Sequence, residues 1–136
     1  MIIDNLTTFA RCANAANLEL HPFLHRVPEL DRPTSMVFDL DPGEGADVLA
    51  CAEVALLVRG QLESSGLQSS AKVSGSKRIQ VYAPLNMRVS YDQTQPFART
   101  IAQEIVREHP DSVVSTMAKA TRDNRPWAIP SLRCSA

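Results

Sequence analysis

Asp39 and Asp41 stand two residues apart in the apolar run around Met36–Leu40, which Pro33 precedes and Pro42-Gly43 follows. Successive side chains of a strand point to opposite faces, so this spacing puts both carboxylates on one face, roughly 6 to 7 Å apart at the backbone from about 3.3 Å of rise per residue. Such a pair can converge on a hard cation such as Mg²⁺, and a divalent ion holding a triphosphate neutralises it and orients the attacking and leaving oxygens. Acidic residues that merely lead a strand into a turn would look the same. Further along, Ser74-Gly75-Ser76-Lys77 offers hydroxyls, backbone amides, a glycine and an ammonium, all of which can approach phosphate oxygens closely. The spacing of a P-loop is absent, and Lys77 leads into the strand-like Ile79-Gln80-Val81-Tyr82 instead of a helix. Taken alone, these four residues are most simply a polar turn between two strands.

The flanking segments supply elements to position both motifs. Asp4 can cap a helix over Asn5–Ala16 with Leu6, Phe9, Ala10 and Ala13 on one face. Glu19–Phe23 reads as a short strand. His21 and His25 are four apart, but Pro22 opposes a single helix presenting both to zinc. Gly43–Gly45 opens a second helix over Ala46–Ser64, with Val48, Ala52, Leu56 and Leu62 directed inward and Gly66 at its end. Gln68–Val73 and Arg78–Ala83 are strands flanking the Ser74–Lys77 turn. In the second of them Ile79 and Val81 alternate with Arg78, Gln80 and Tyr82, so the polar set faces either a cleft or plain solvent. A third helix spans Thr94–His109, with Pro96 in its first turn and Pro110 beyond its end, and Val113-Val114 forms a brief strand. Helices alternating with strands imply an α/β (α+β) fold, a mixed β-sheet packed with helices, without internal repeats.

Composition bounds the rest. A chain of 136 residues with 44% apolar content can bury one modest core. A formal net charge of −1 excludes a broad electrostatic grip on DNA, so any such surface must be local, with Lys72, Lys77, Arg78, Lys119, Arg122 and Arg125 as candidates. Cys12, Cys51 and Cys134 are odd in number and far apart, which indicates neither a zinc site nor a disulfide framework and fits a reducing cytoplasmic location. No apolar stretch is long enough to span a membrane, and the start lacks the pattern of a signal peptide, so no membrane partner is expected.

The order Glu19-Leu20-His21-Pro22, Val37-Phe38-Asp39-Leu40-Asp41-Pro42-Gly43, Val73-Ser74-Gly75-Ser76-Lys77, Tyr91-Asp92 with Pro96-Phe97-Ala98, and Met117-Ala118-Lys119 resembles the primase-like polymerase domain of bacterial ligase D. That family belongs to the archaeo-eukaryotic primase superfamily and serves non-homologous end joining. The resemblance runs from about Ile3 to Arg122 and implies a partial domain over residues 1–122 with a divergent tail over 123–136. It implies a template-directed nucleotidyltransferase acting at DNA ends with Mn²⁺ or Mg²⁺, beside ligase or Ku-type end-joining partners. By the same resemblance Asp39 and Asp41 would be catalytic metal ligands. Ser74, Ser76, Lys77 and Arg122 would hold the nucleoside triphosphate, and His21 would lie near it.

Two departures bear on activity. The family continues Ser-Gly-Ser-Lys with Gly-Leu-His, whereas this chain reads Arg78-Ile79-Gln80. Gln80 can hydrogen-bond a phosphate but cannot exchange a proton near neutral pH, and Arg78 brings either phosphate-binding charge or obstructing bulk. At the carboxyl end the family's third metal-binding aspartate has no match, Pro126 and Pro130 oppose a central strand there, and Asp123 could substitute only along a different backbone course. The resemblance also implies truncation at both ends. An impaired or inactive polymerase, or a nonenzymatic nucleotide- or DNA-end-binding remnant, is therefore expected, with homodimerisation to cover exposed edges. Haloacid dehalogenase-like phosphatases also end an apolar strand in Asp-x-Asp, but they carry threonine or valine where this chain has Gly43.

Overall fold

Alternation in the run Ser35–Pro42 sets the centre of the molecule. Met36, Phe38 and Leu40 are buried, while Val37, Asp39 and Asp41 are half-buried on the other face. The computed structural model describes residues 2–16, 23–42, 46–75, 78–110, 112–113 and 126–128, with the backbone alone for 74–75 and 126–128. Its elements are α1 (Leu6–Asn14), β1 (His25–Arg26), β2 (Glu29–Pro33), β3 (Ser35–Pro42), α2 (Val48–Ser64), β4 (Ser70–Gly75), β5 (Arg78–Pro84), α3 (Tyr91–Glu108) and β6 (Pro126–Ala128).

The main sheet has the order β4-β5-β3-β6, and β1 and β2 form a separate two-stranded ladder. The α+β class and the helix-packed sheet hold, but every ladder among the described residues is antiparallel and not mixed in direction. The physical reason lies in the connections. β4 and β5 are joined as a hairpin, and β5 runs back along β3, so neighbouring strands point in opposite directions. β6 pairs with β3 through Leu40↔Ala128, Asp41↔Trp127 and Pro42↔Pro126. Among the described residues it is an edge strand, the sheet position that tolerates proline, and no strand is anticipated there by the proline content.

One face of β3 and β5 meets α2 and α3. Met36, Phe38, Leu40, Ile79, Val81 and Ala83 form a single core with Cys51, Val54, Val58 and Leu62 of α2 and Ala98, Ile101 and Ile105 of α3. The inward stripe of α2 departs from expectation at one position: Leu62 is buried and Val48 and Ala52 pack against the core as expected, but Leu56 is 66% exposed. A chain of steps of four residues drifts by about 40° each around a helix of 3.6 residues per turn, so by the second step from Val48 the stripe has left, at Leu56, the face that Cys51, Ala55, Val58 and Leu62 keep. Gly66, at φ +76°, closes α2 in a Schellman turn: the Leu67 N–H donates to Leu62 O at 2.9 Å and the Gly66 N–H to Glu63 O at 3.0 Å.

Two helix starts also differ from expectation. Asn5, not Asp4, caps α1, its Oδ1 accepting from the Thr8 N–H at 2.8 Å from an extended backbone. α3 begins at Tyr91, three residues before the expected start, because Gln93 Oε1 reaches back to accept from the Ser90 N–H at 3.0 Å. Pro96 therefore lies inside the helix rather than in its first turn, and its exposed ring faces away from the core. The expected inward face of α1 is not buried: Leu6 is 81% exposed and Phe9 is exposed, while Cys12 is the buried residue. The Glu19–Leu20-His21-Pro22 part of the first expected strand and Val114 lie outside the described residues, Phe23 is outside any strand, and Val113 is buried but not in a strand.

Candidate functional site

Cross-strand register builds a polar patch on the sheet face opposite the core. Asp39 pairs with Gln80, Val37 with Tyr82, and on the far side of β5 Lys72 pairs with Gln80 and Ser70 with Tyr82. Directly opposed residues project to the same face, so Asp39, Gln80, Tyr82 and Lys72 share one surface with Asp41 and Arg78. Asp39 and Asp41 thus lie side by side on β3 as their spacing requires, and Asp39 Oδ1 is shielded from solvent.

The ladders bring the acidic end of β3 and the strand ends that flank Ser74–Lys77 to one end of the sheet. β3 finishes at Pro42, β4 finishes at Gly75 and β5 begins at Arg78, with Gly75 paired to Arg78 and Leu40 to Ile79. The backbone of Ser74 therefore sits in the last residues of β4, at the same sheet end as the acidic end of β3 and separated from it by β5. His21, Ser76, Lys77 and Arg122 lie outside the described residues, as do Lys119, Asp123 and Arg125. The second helix starts at the same end, where Asp47 Oδ1 accepts from the N–H groups of Leu49 and Ala50 at 3.0 and 3.1 Å.

Three contacts that residue spacing does not disclose define the chemistry of the patch. Arg78 Nε lies 3.2 Å from Asp41 Oδ1 in an ion pair, with the Asp41 side chain 25% exposed and that of Arg78 47% exposed. The Tyr82 hydroxyl donates to Gln80 Oε1 at 2.8 Å, so the Gln80 amide is held along its own strand. Beneath the patch, the Cys51 thiol donates to Leu40 O at 3.7 Å, and its pKa is pushed up to about 11, first by burial and then by the negative charges of Asp41, Asp47 and Asp39. Elsewhere, His25 Nδ1 lies 2.9 Å from the Tyr91 hydroxyl and its ring stacks on Phe23 at 5.0 Å, tying β1 to the start of α3.

Among the described residues no group of three or more His, Cys, Asp and Glu side chains is placed to hold a metal. The pair Asp39 and Asp41 nevertheless suits a hard divalent ion, because the donors at hand are carboxylate oxygens and the one nearby thiol is buried and held protonated. Two carboxylates would supply only part of a six-oxygen shell. No helix of the described residues is long and apolar enough to cross a membrane.

Comparison with known proteins places these features in a family. The family model for the LigD primase-polymerase domain matches residues 1–127. The multifunctional non-homologous end joining protein LigD of Mycobacterium bovis is 40% identical over 129 residues, covering 89% of this chain and 17% of that protein. The bifunctional non-homologous end joining protein LigD of Bacillus subtilis is 32% identical over 113 residues, 82% of this chain and 18% of that protein. Among solved structures, the polymerase domain from Mycobacterium tuberculosis ligase D in complex with DNA superposes with a TM-score of 0.84 at 36% identity, covering 94% of this chain and 47% of that one. The chain spans less than a fifth of the curated relatives named here and about half of that solved domain. With a match over nearly its whole length and a shared fold, the chain belongs to the LigD primase-polymerase domain family.

Proposed function

We propose that this chain carries the acidic and phosphate-facing part of a nucleotidyltransferase site that works on DNA ends in double-strand break repair, and that it is weak or inactive in transfer by itself. The observation that supports this most is the meeting of the Asp39–Asp41 face with the ends of β4 and β5, the strands that flank Ser74–Lys77. Asp39 and Asp41 would hold Mg²⁺ or Mn²⁺, which when bound neutralises triphosphate charge and polarises the phosphoryl group. Ser74, Ser76 and Lys77 would grip the triphosphate through hydroxyls and a point charge, with Arg122 and His21 completing its surroundings. The DNA held by the solved polymerase domain supports a DNA end as the second substrate here.

Weak transfer follows from the residues themselves. Gln80 cannot shuttle a proton and its amide oxygen already accepts from Tyr82. One of the two carboxylates is engaged by Arg78. A nucleotide- or DNA-end-binding role without transfer is therefore the second reading. Calorimetry with Mn²⁺ and a nucleoside triphosphate should give binding that Asp39→Ala abolishes, whereas undiminished binding in Asp39→Ala would remove the site from this face. Primer extension by the purified chain should be feeble, and robust templated extension would overturn the claim of weak transfer. Homodimerisation belongs to the same proposal, supported by the exposed Leu6 and Phe9 of α1, and a monomer mass at every concentration in light scattering would reject it.

A further inference from the structure

Arg78 is the residue whose side chain the fold places against a candidate metal ligand, and we infer that it acts as a resident counter-ion: its guanidinium holds Asp41 in the ion-free state and must leave before a divalent cation can use that carboxylate. The inference rests on the proposed cation site at Asp39 and Asp41. It adds a device that controls loading of that site.

The geometry supports control rather than incidental contact. Arg78 opens β5 one step beyond the Leu40↔Ile79 pair, so it stands across the ladder from Asp41 and not on a neighbouring helical turn. The ladder fixes both Cα positions, which leaves only the side chains to order. The pair also differs from Arg59–Glu63, whose two side chains are both more than half exposed on α2, because Asp41 is three-quarters covered. Release of Asp41 to a cation comes by competition: a divalent ion must displace the guanidinium, or a polyphosphate must draw it away. Arginine is well suited to the second route, since its planar donors match phosphate oxygens. The expected behaviour is poor binding of the cation alone and better binding when a triphosphate arrives with it.

Mn²⁺ titration followed by electron paramagnetic resonance of the free aqua ion tests this without any catalytic readout. Arg78→Gln removes the charge and keeps most of the bulk, and it should bind Mn²⁺ roughly three- to tenfold more tightly than the native chain, the range expected for losing a half-exposed ion pair and a nearby positive charge. Arg78→Lys keeps the charge and should stay within about twofold of native by the same reasoning. Circular dichroism confirms that each variant is folded. Equal or weaker Mn²⁺ binding in Arg78→Gln, with binding still lost in Asp39→Ala, would overturn the counter-ion role and leave the cation site standing. Absence of Mn²⁺ binding from both native and Arg78→Gln proteins would overturn both.

Discussion

The two faces of the β3–β5 ladder carry side chains with opposite demands. On one, Phe38, Leu40, Ile79 and Val81 are buried against α2 and α3, where size and apolarity are enough. On the other, Asp39, Asp41, Arg78, Gln80 and Tyr82 share a half-open surface where charge and hydrogen-bond direction matter. Because the side-chain period of a strand is two, neighbouring residues serve these separate purposes, and a change on one face should leave the other largely intact. The core face carries the fold, and the polar face is free to carry chemistry.

The comparison can be broken most forcefully at Phe38. Phe38→Ala should lower unfolding free energy by about 3–5 kcal/mol in a denaturant titration, since the side chain is 1% exposed and leaves a cavity. A loss below about 1 kcal/mol would mean that the core face is not what holds the sheet. Cys51 comes next, because it links the faces: it is packed in the core yet feels the carboxylates above. Its pKa in the folded chain is raised from 9.0 to about 11, so the folded state retains the thiol proton more strongly than the unfolded one. Its contribution is fully present below about pH 9 and is lost as pH rises towards 11, a decline of about 2–3 kcal/mol at one pKa unit per 1.36 kcal/mol. Thermal melts across that window should show a steeper fall in native protein than in Cys51→Ala, and parallel curves would remove the linkage.

Asp41→Asn should shift stability by no more than about 1 kcal/mol, as the pair with Arg78 is partly exposed, while Mn²⁺ binding is lost. Large destabilisation with binding intact would reverse the assignment of the two faces. The smallest effect belongs to α1. Leu6→Ser should change stability of the monomer by less than about 0.5 kcal/mol, despite standing in an apolar stripe, because the side chain is 81% exposed. A cost of about 2 kcal/mol would show that this stripe is core after all.

α1 and β3 also mark how far the residues alone reveal the structure. Both have an apolar pattern with the correct period, but a pattern states which side of an element is apolar and not whether anything covers it. β3 lies between two strands and under two helices, so its pattern became burial, whereas the apolar face of α1 is left exposed. Helix starts depended on which polar side chain reached the free N–H groups, and neighbours such as Asp4 and Asn5 are chemically equivalent in that respect. The edge strand Pro126–Ala128 was obscured because proline disfavours central strands while leaving edge positions open.

The amino-acid order alone determined the acidic pair on one strand face, the hairpin around Ser74–Lys77 and the family to which these motifs belong, because strand periodicity and short motifs are local properties. Tertiary structure decided that the acidic end of β3 lies at the same end of the sheet as the β4 and β5 ends that flank Ser74–Lys77, and that Arg78 takes hold of Asp41. Those outcomes depend on strand register, a property of pairing between segments distant along the chain, and no local pattern encodes it.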